Sequence, residues 1–185
     1  GLTIASGGIL APGNSPGTLN ASNTVFHAGG SYEWQINDAT GTAGTNFDFL
    51  SIIGTLDLSA LADADGSRFT FSLVSLAPDN TAGLLAHFNP TQNYTFTVAW
   101  ATSGLLGFNA NAFTIDASAF QNATAGTWGL TQSGSNLDLS YTAAAIPEPS
   151  TYAALTGLAA LAVALRRQRQ KNALRRRASA PSTSI

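Results

Sequence analysis

Two imidazoles, His27 and His87, ten carboxylates and many hydroxyls are the groups with which this chain could do acid–base or nucleophilic chemistry. Each histidine lies in a turn-rich polar stretch, and no spacing sets either beside a particular Asp or Ser. With so many serines a Ser/His/Asp set can always be drawn, so the pattern carries no weight. A glycosidase pair needs two carboxylates facing one cleft, whereas Glu33, Asp57 and Asp138 alternate with apolar residues and read as solvent-facing strand positions. The absence of cysteine excludes a disulfide framework, a thiolate zinc site and a cysteine nucleophile. Leu61-Ala-Asp63-Ala-Asp65-Gly66 has the spacing of part of a calcium loop, but Leu61 and Ser72 would stand where its first and last carboxylates belong. An Asp-Gly turn leading into a strand at Phe69 accounts for the same residues. Trp34 and Trp100 fall on the apolar parity of their strands and read as core, while Trp128, between Gly126 and Gly129, is less constrained and could stack a sugar. Asn20-Ala-Ser22, Asn93-Tyr-Thr95 and Asn122-Ala-Thr124 match the glycosylation sequon by pattern alone. These residues imply no enzyme, no cofactor and no metal site.

The elements that would position them are strands. In Ser31-Tyr32-Glu33-Trp34-Gln35-Ile36-Asn37 the apolar residues occupy even positions and the polar ones odd, which puts Tyr32, Trp34 and Ile36 on one face. The alternation recurs at Thr55 to Ser59, Arg68 to Leu73, Tyr94 to Trp100, Phe113 to Ile115 and Leu137 to Tyr141. Before the C-terminal segment no stretch sustains a helical stripe. The connections, among them Ala11-Pro-Gly-Asn-Ser-Pro-Gly17 and Ser133-Gly-Ser-Asn136, are rich in turn formers. Short strands so spaced predict an all-β sandwich or solenoid.

A length of 185 residues suits one domain with a real core, and 44% hydrophobic against 10% charged residues excludes a disordered chain or a coiled coil. The net charge of −2 hides an asymmetry. Residues 1–148 hold all ten acids and the single base Arg68, a net −9. The other seven bases, Arg166, Arg167, Arg169, Lys171, Arg175, Arg176 and Arg177, follow an uncharged stretch from Pro149 to Leu165. An acidic body with no basic face argues against a nucleic-acid partner. Opening without Met inside the strand-like Leu2-Thr3-Ile4, the sequence is expected to be the C-terminal part of a longer protein, with any signal peptide upstream.

Gly8-Ile-Leu-Ala-Pro-Gly-Asn-Ser-Pro-Gly-Thr-Leu19, Gly30-Ser-Tyr-Glu33, Phe47-Asp48-Phe49-Leu50 and Gly54-Thr-Leu-Asp-Leu58 together resemble the end of the passenger-like β-helical repeats of bacterial autotransporter-associated proteins. The resemblance covers residues 1–60 and implies the end of a right-handed parallel β-solenoid there. Residues 61–145, with longer alternating strands and bulkier aromatics, would form a β-rich, sandwich-like cap on its open edge.

Pro147-Glu148-Pro149-Ser-Thr-Tyr152, the apolar run and the Arg cluster, in that order, resemble the PEP-CTERM sorting signal of exported proteins in Gram-negative bacteria. Residues 146–151 are expected to be the extended motif. Residues 152–165, with Tyr152, Leu155, Leu158, Leu161, Val163 and Leu165, are expected to be a short single transmembrane helix, and residues 166–185, with Arg166, Arg167, Arg169 and Lys171, a basic cytoplasmic anchor. Thr151 to Leu165 gives about 22 Å of helix, short of a hydrocarbon core of about 30 Å, so snorkelling arginines would have to add length. The resemblance implies an exosortase-type enzyme at the inner membrane as partner, a body outside the cytoplasm, and delivery to the cell surface or extracellular matrix as a structural or adhesive protein. One departure is a tail that runs on past the first basic cluster to Ile185. The alternative expectation is a protein that binds or degrades extracellular polysaccharide, its catalytic part lying upstream.

Overall fold

The computed structural model describes residues 1–13, 15–145 and 149–178, and the side chains of the C-terminal helix over 156–172. Gly1–Ala144 and Ala145–Ile185 are two separate compact units.

The first unit winds back and forth between two sheets. Strands β1 (Leu2–Ile4), β3 (Thr18–Phe26), β5 (Phe49–Asp57) and β7 (Tyr94–Ala101) lie side by side in the first sheet, all parallel, and β8 (Leu105–Leu106) continues that pairing along β5. Strands β2 (Ile9–Leu10), β4 (Ser31–Ile36), β6 (Phe69–Ser75) and β9 (Phe113–Ala119) form the second sheet, also parallel. Each turn of chain adds one strand to each sheet, and this stacking runs past residue 60 without a break. The hairpin of β10 (Thr127–Ser133) and β11 (Asn136–Thr142) then pairs antiparallel with β7, which makes the first sheet mixed.

The core fills the space between the sheets because alternate residues turn inward. On β4 and β6, Tyr32, Trp34, Ile36, Phe69, Phe71 and Leu73 are all fully buried. Rings meet both along a sheet, where register pairs Tyr32 with Phe71, and across the space between the sheets, where Phe26 of β3 meets Phe69 of β6. Phe26 and Phe69 lie 4.6 Å apart and parallel, Tyr32 and Phe71 4.9 Å apart, and Trp34 reaches Phe96 of the facing sheet at 5.3 Å. Such pairs add roughly 0.5–1.5 kcal/mol each beyond the burial of their area.

The second unit contains one continuous helix, α1 (Pro149–Ala178). Proline suits a first helical position, and the Ala, Leu, Arg, Gln and Lys that follow are strong helix formers, so nothing ends the helix at Leu165. This corrects the expectation of a transmembrane segment over 152–165. Among the described residues no helix is long and apolar enough to cross a membrane. The uncharged part of α1, from Pro149 to Leu165, rises about 25 Å at 1.5 Å per residue, short of a hydrocarbon core of about 30 Å. Arg166, Arg167, Arg169 and Lys171 follow at once on the same helix. The fold class is therefore mostly β, with one mixed and one parallel sheet and a C-terminal helix.

Candidate functional site

Pro147 and Glu148 of the expected sorting motif lie outside the described residues, and so does the side chain of Pro149, the first residue of α1. Tyr152 and Leu155 are helical, with side chains likewise outside them. The described part of the helix is exposed throughout. Leu158, Leu161, Val163 and Leu165 show between 64% and 49% of their surface, and Arg166, Arg167, Arg169 and Lys171 stand exposed directly after them. The helix thus carries an apolar stretch and a cationic one in immediate succession, both open to a partner.

In the first unit the structure brings His87 to Asp38, 49 residues away in sequence, with Nδ1 and Oδ1 3.0 Å apart. Asp38 closes a turn on Thr40, accepting from its N–H at 2.8 Å and its hydroxyl at 2.9 Å. Partial desolvation opposes ionisation of Asp38, but the Thr40 hydrogen bonds and the His87 imidazole outweigh it and hold the carboxyl below its ordinary value. A His–Asp pair is two-thirds of a nucleophilic triad, yet the Thr40 hydroxyl is spent on the same carboxylate and no hydroxyl among the described residues is hydrogen-bonded to the imidazole. The pair clamps two loops at the surface.

Asp48, at the entry to β5, is fully buried. Its Oδ1 accepts from the Gly17 N–H at 2.8 Å and its Oδ2 from the Gln35 N–H at 3.0 Å, while its carbonyl accepts from Trp34 Nε1 at 2.8 Å. One residue therefore ties the 11–17 loop, β4 and β5 together. Burial raises its carboxyl to about 6 despite the two backbone donors, and the Glu33 charge adds to the rise. Burial, with the Asp48 charge, also pushes the Tyr32 phenol well above its ordinary value. Its hydroxyl stays protonated and donates to the Val98 carbonyl at 3.1 Å.

The expectations for individual side chains are corrected at two points. Asp138 is buried rather than solvent-facing, and takes the Thr97 hydroxyl at 2.7 Å. Trp100 is 40% exposed rather than in the core. Both changes meet at a bulge, since Leu137 pairs with Ala99 and Asp138 with Thr97, which leaves Val98 as an extra residue in β7. Tyr94, Phe96, Val98 and Trp100 share one parity in the sequence, but past the bulge Ala99 and Ala101 turn inward and Trp100 turns out. Trp128 is half-buried against Phe120 and Tyr141, its rings 5.2 and 4.9 Å from theirs, and its Nε1 is buried without a hydrogen-bond partner. Asp65-Gly66 forms a turn, Gly66 having φ +82°, and Arg68 pairs with Asp65 at 2.8 Å. Among the described residues no group of three or more His, Cys, Asp or Glu converges to hold a metal ion.

No protein-family model, curated protein or solved structure matches this chain. A cavity of about 260 Å³ opens at the β1–β3 edge, lined by Gly1, Leu2, Leu19, Asn20, Ala21 and Ser22, with no titratable side chain. The open features are thus the apolar-then-basic helix and the outer face of the first sheet.

Proposed function

We propose that this chain is an exported structural or adhesive protein of the cell surface or extracellular matrix, directed there by its C-terminal segment. Pro147-Glu148-Pro149 is the motif read by an exosortase-type processing enzyme, and α1 presents the chain to it. The observation that carries this reading is the exposure of Leu158, Leu161, Val163 and Leu165 immediately before four bases on one helix. Exposing such side chains forgoes about 25 cal/mol for every Å² left in water, a cost that is retained where a partner reads the surface. The basic residues suit an anionic membrane surface, where such an enzyme would meet the motif. The first unit supports a structural role, because a stack of parallel strands bonded turn to turn gains stability from every neighbour and carries few charges to repel one another.

The test is a fractionation experiment in a host with an exosortase system. Wild type is expected to appear as a shortened body outside the cells, identified by mass spectrometry of its new C-terminus. The combined variant Pro147→Ala, Glu148→Ala, Pro149→Ala is expected to stay full-length and cell-associated. Equal release of both proteins overturns the reading.

A further inference from the structure

The outward turn of Trp100 places it in a row that crosses the first sheet. Register pairs Asn20 of β3 with Ser51 of β5, Ser51 with Trp100 of β7, Trp100 with Asn136 of β11, and Asn136 with Ser133 of β10. Residues paired in register project from the same face, so these five side chains form one line, about 19 Å long at the usual strand spacing. Ile53, two residues beyond Ser51 on the same face, is 73% exposed and widens the apolar ground beside the indole. The polar members have no hydrogen-bond partner among the described residues. Exposed polar groups elsewhere, such as Asp57, Asp79 and Asn89, are spent on the Ser or Thr two residues on. At the β3 end of the row, Asn20 and Ser22 line the cavity of about 260 Å³.

We propose that this row is a binding site for a neutral polysaccharide laid across the strands. An exposed indole offers a flat face to the C–H side of a sugar ring, and free amides and hydroxyls on either side match the donors and acceptors of sugar hydroxyls. No ionised group stands in the row. The nearest carboxylate along the strands, Asp138, is buried and holds the Thr97 hydroxyl. Residues 1–148 carry a net charge of −9, which repels polyanionic glycans and leaves neutral ones favoured. The site lies wholly in the first unit and does not rest on the sorting reading.

The test uses the full chain and its Trp100→Ala variant in depletion isotherms on cellulose and chitin, and in affinity electrophoresis through a soluble neutral β-glucan, with alginate as the polyanionic probe. Wild type is expected to bind at least one neutral probe and not alginate. Trp100→Ala is expected to weaken that binding by about tenfold or more, as truncating a central aromatic contact does. Leu106→Ser, which removes another exposed apolar side chain of the same sheet, is expected to leave it unchanged. A blue shift of tryptophan emission on binding, lost in Trp100→Ala, locates the contact, since Trp34 is buried and Trp128 is packed among rings. The proposal is overturned if wild type binds no neutral probe, if alginate binds equally, or if Trp100→Ala binds as wild type does. A dimer in sedimentation that Trp100→Ala abolishes, with no glycan retained, overturns it in favour of a contact between copies. The sorting assay is read in cells on residues 147–149, so either result can fail without the other.

Discussion

Replacing Asp48 by Asn removes a titrating group from the centre of the first unit while keeping its shape. In the native protein the carboxyl is raised from its ordinary 3.8 to about 6, chiefly by burial. Between those values the folded state binds more protons than the unfolded one, so stability falls as pH rises through the window. The contribution is complete below pH 3.8 and is lost above pH 6. At ~1.4 kcal/mol per pH unit the whole interval is worth on the order of 3 kcal/mol, about 2 kcal/mol of it between pH 4 and pH 7. Asp57, Asp79 and Asp116 are instead held low by the Ser or Thr two residues on, so their windows lie below pH 3.8 and run the other way. Urea unfolding of the full chain at pH 4, 5, 6 and 7, for wild type and Asp48→Asn, isolates the group. The stability of wild type relative to the variant is expected to decline by about 2 kcal/mol over that range. A difference that stays level or grows with pH refutes the reasoning. It would mean that the Gly17 and Gln35 donors outweigh desolvation and that the carboxyl is native as the anion.

Two further substitutions probe how the turns are held together. Trp34→Phe removes the donor to the Asp48 carbonyl and leaves a void against Phe47 and Phe96; a loss of about 2–3 kcal/mol in urea unfolding is expected, with no change in far-ultraviolet circular dichroism. Gly54→Ala puts a Cβ against Asn23 Oδ1 at φ +122°, where the chain kinks in step across β3, β5 and the β7–β8 break. A loss of about 2 kcal/mol is expected, and a variant as stable as wild type would show that this kink relaxes freely.

The body's strand pattern was legible because burial on one face imposes a period of two. On β4 and β6 the inward Tyr32, Trp34, Ile36, Phe69, Phe71 and Leu73 are apolar and fully buried, as the alternation requires, and only Ser75 at the end of β6 is polar, its hydroxyl donating to the Gly83 carbonyl. The Asp-Gly turn was legible for the same kind of local reason, since Gly66 sits at a φ that few other residues adopt at low cost. The order of motif, apolar stretch and bases is likewise written in the chain. Where the helix begins and ends was less so. Alanine-rich and arginine-rich segments share high helix propensity, and the hydropathy boundary at Leu165 is no structural boundary.

Tertiary structure decided what depends on partners distant in sequence. Trp100 faces outward because one extra residue, Val98, shifts the parity of β7 relative to β11, and a parity rule has no means of sensing a bulge made by two strands. His87 meets Asp38 across 49 residues because consecutive turns stack their corners, and Asp48 is buried because three separate segments close over it. Sequence determined which residues alternate, where the charge lies and where helix can form. Contacts between turns of the stack determined which of those residues are spent on the fold and which, like the row through Trp100, remain free to meet another molecule.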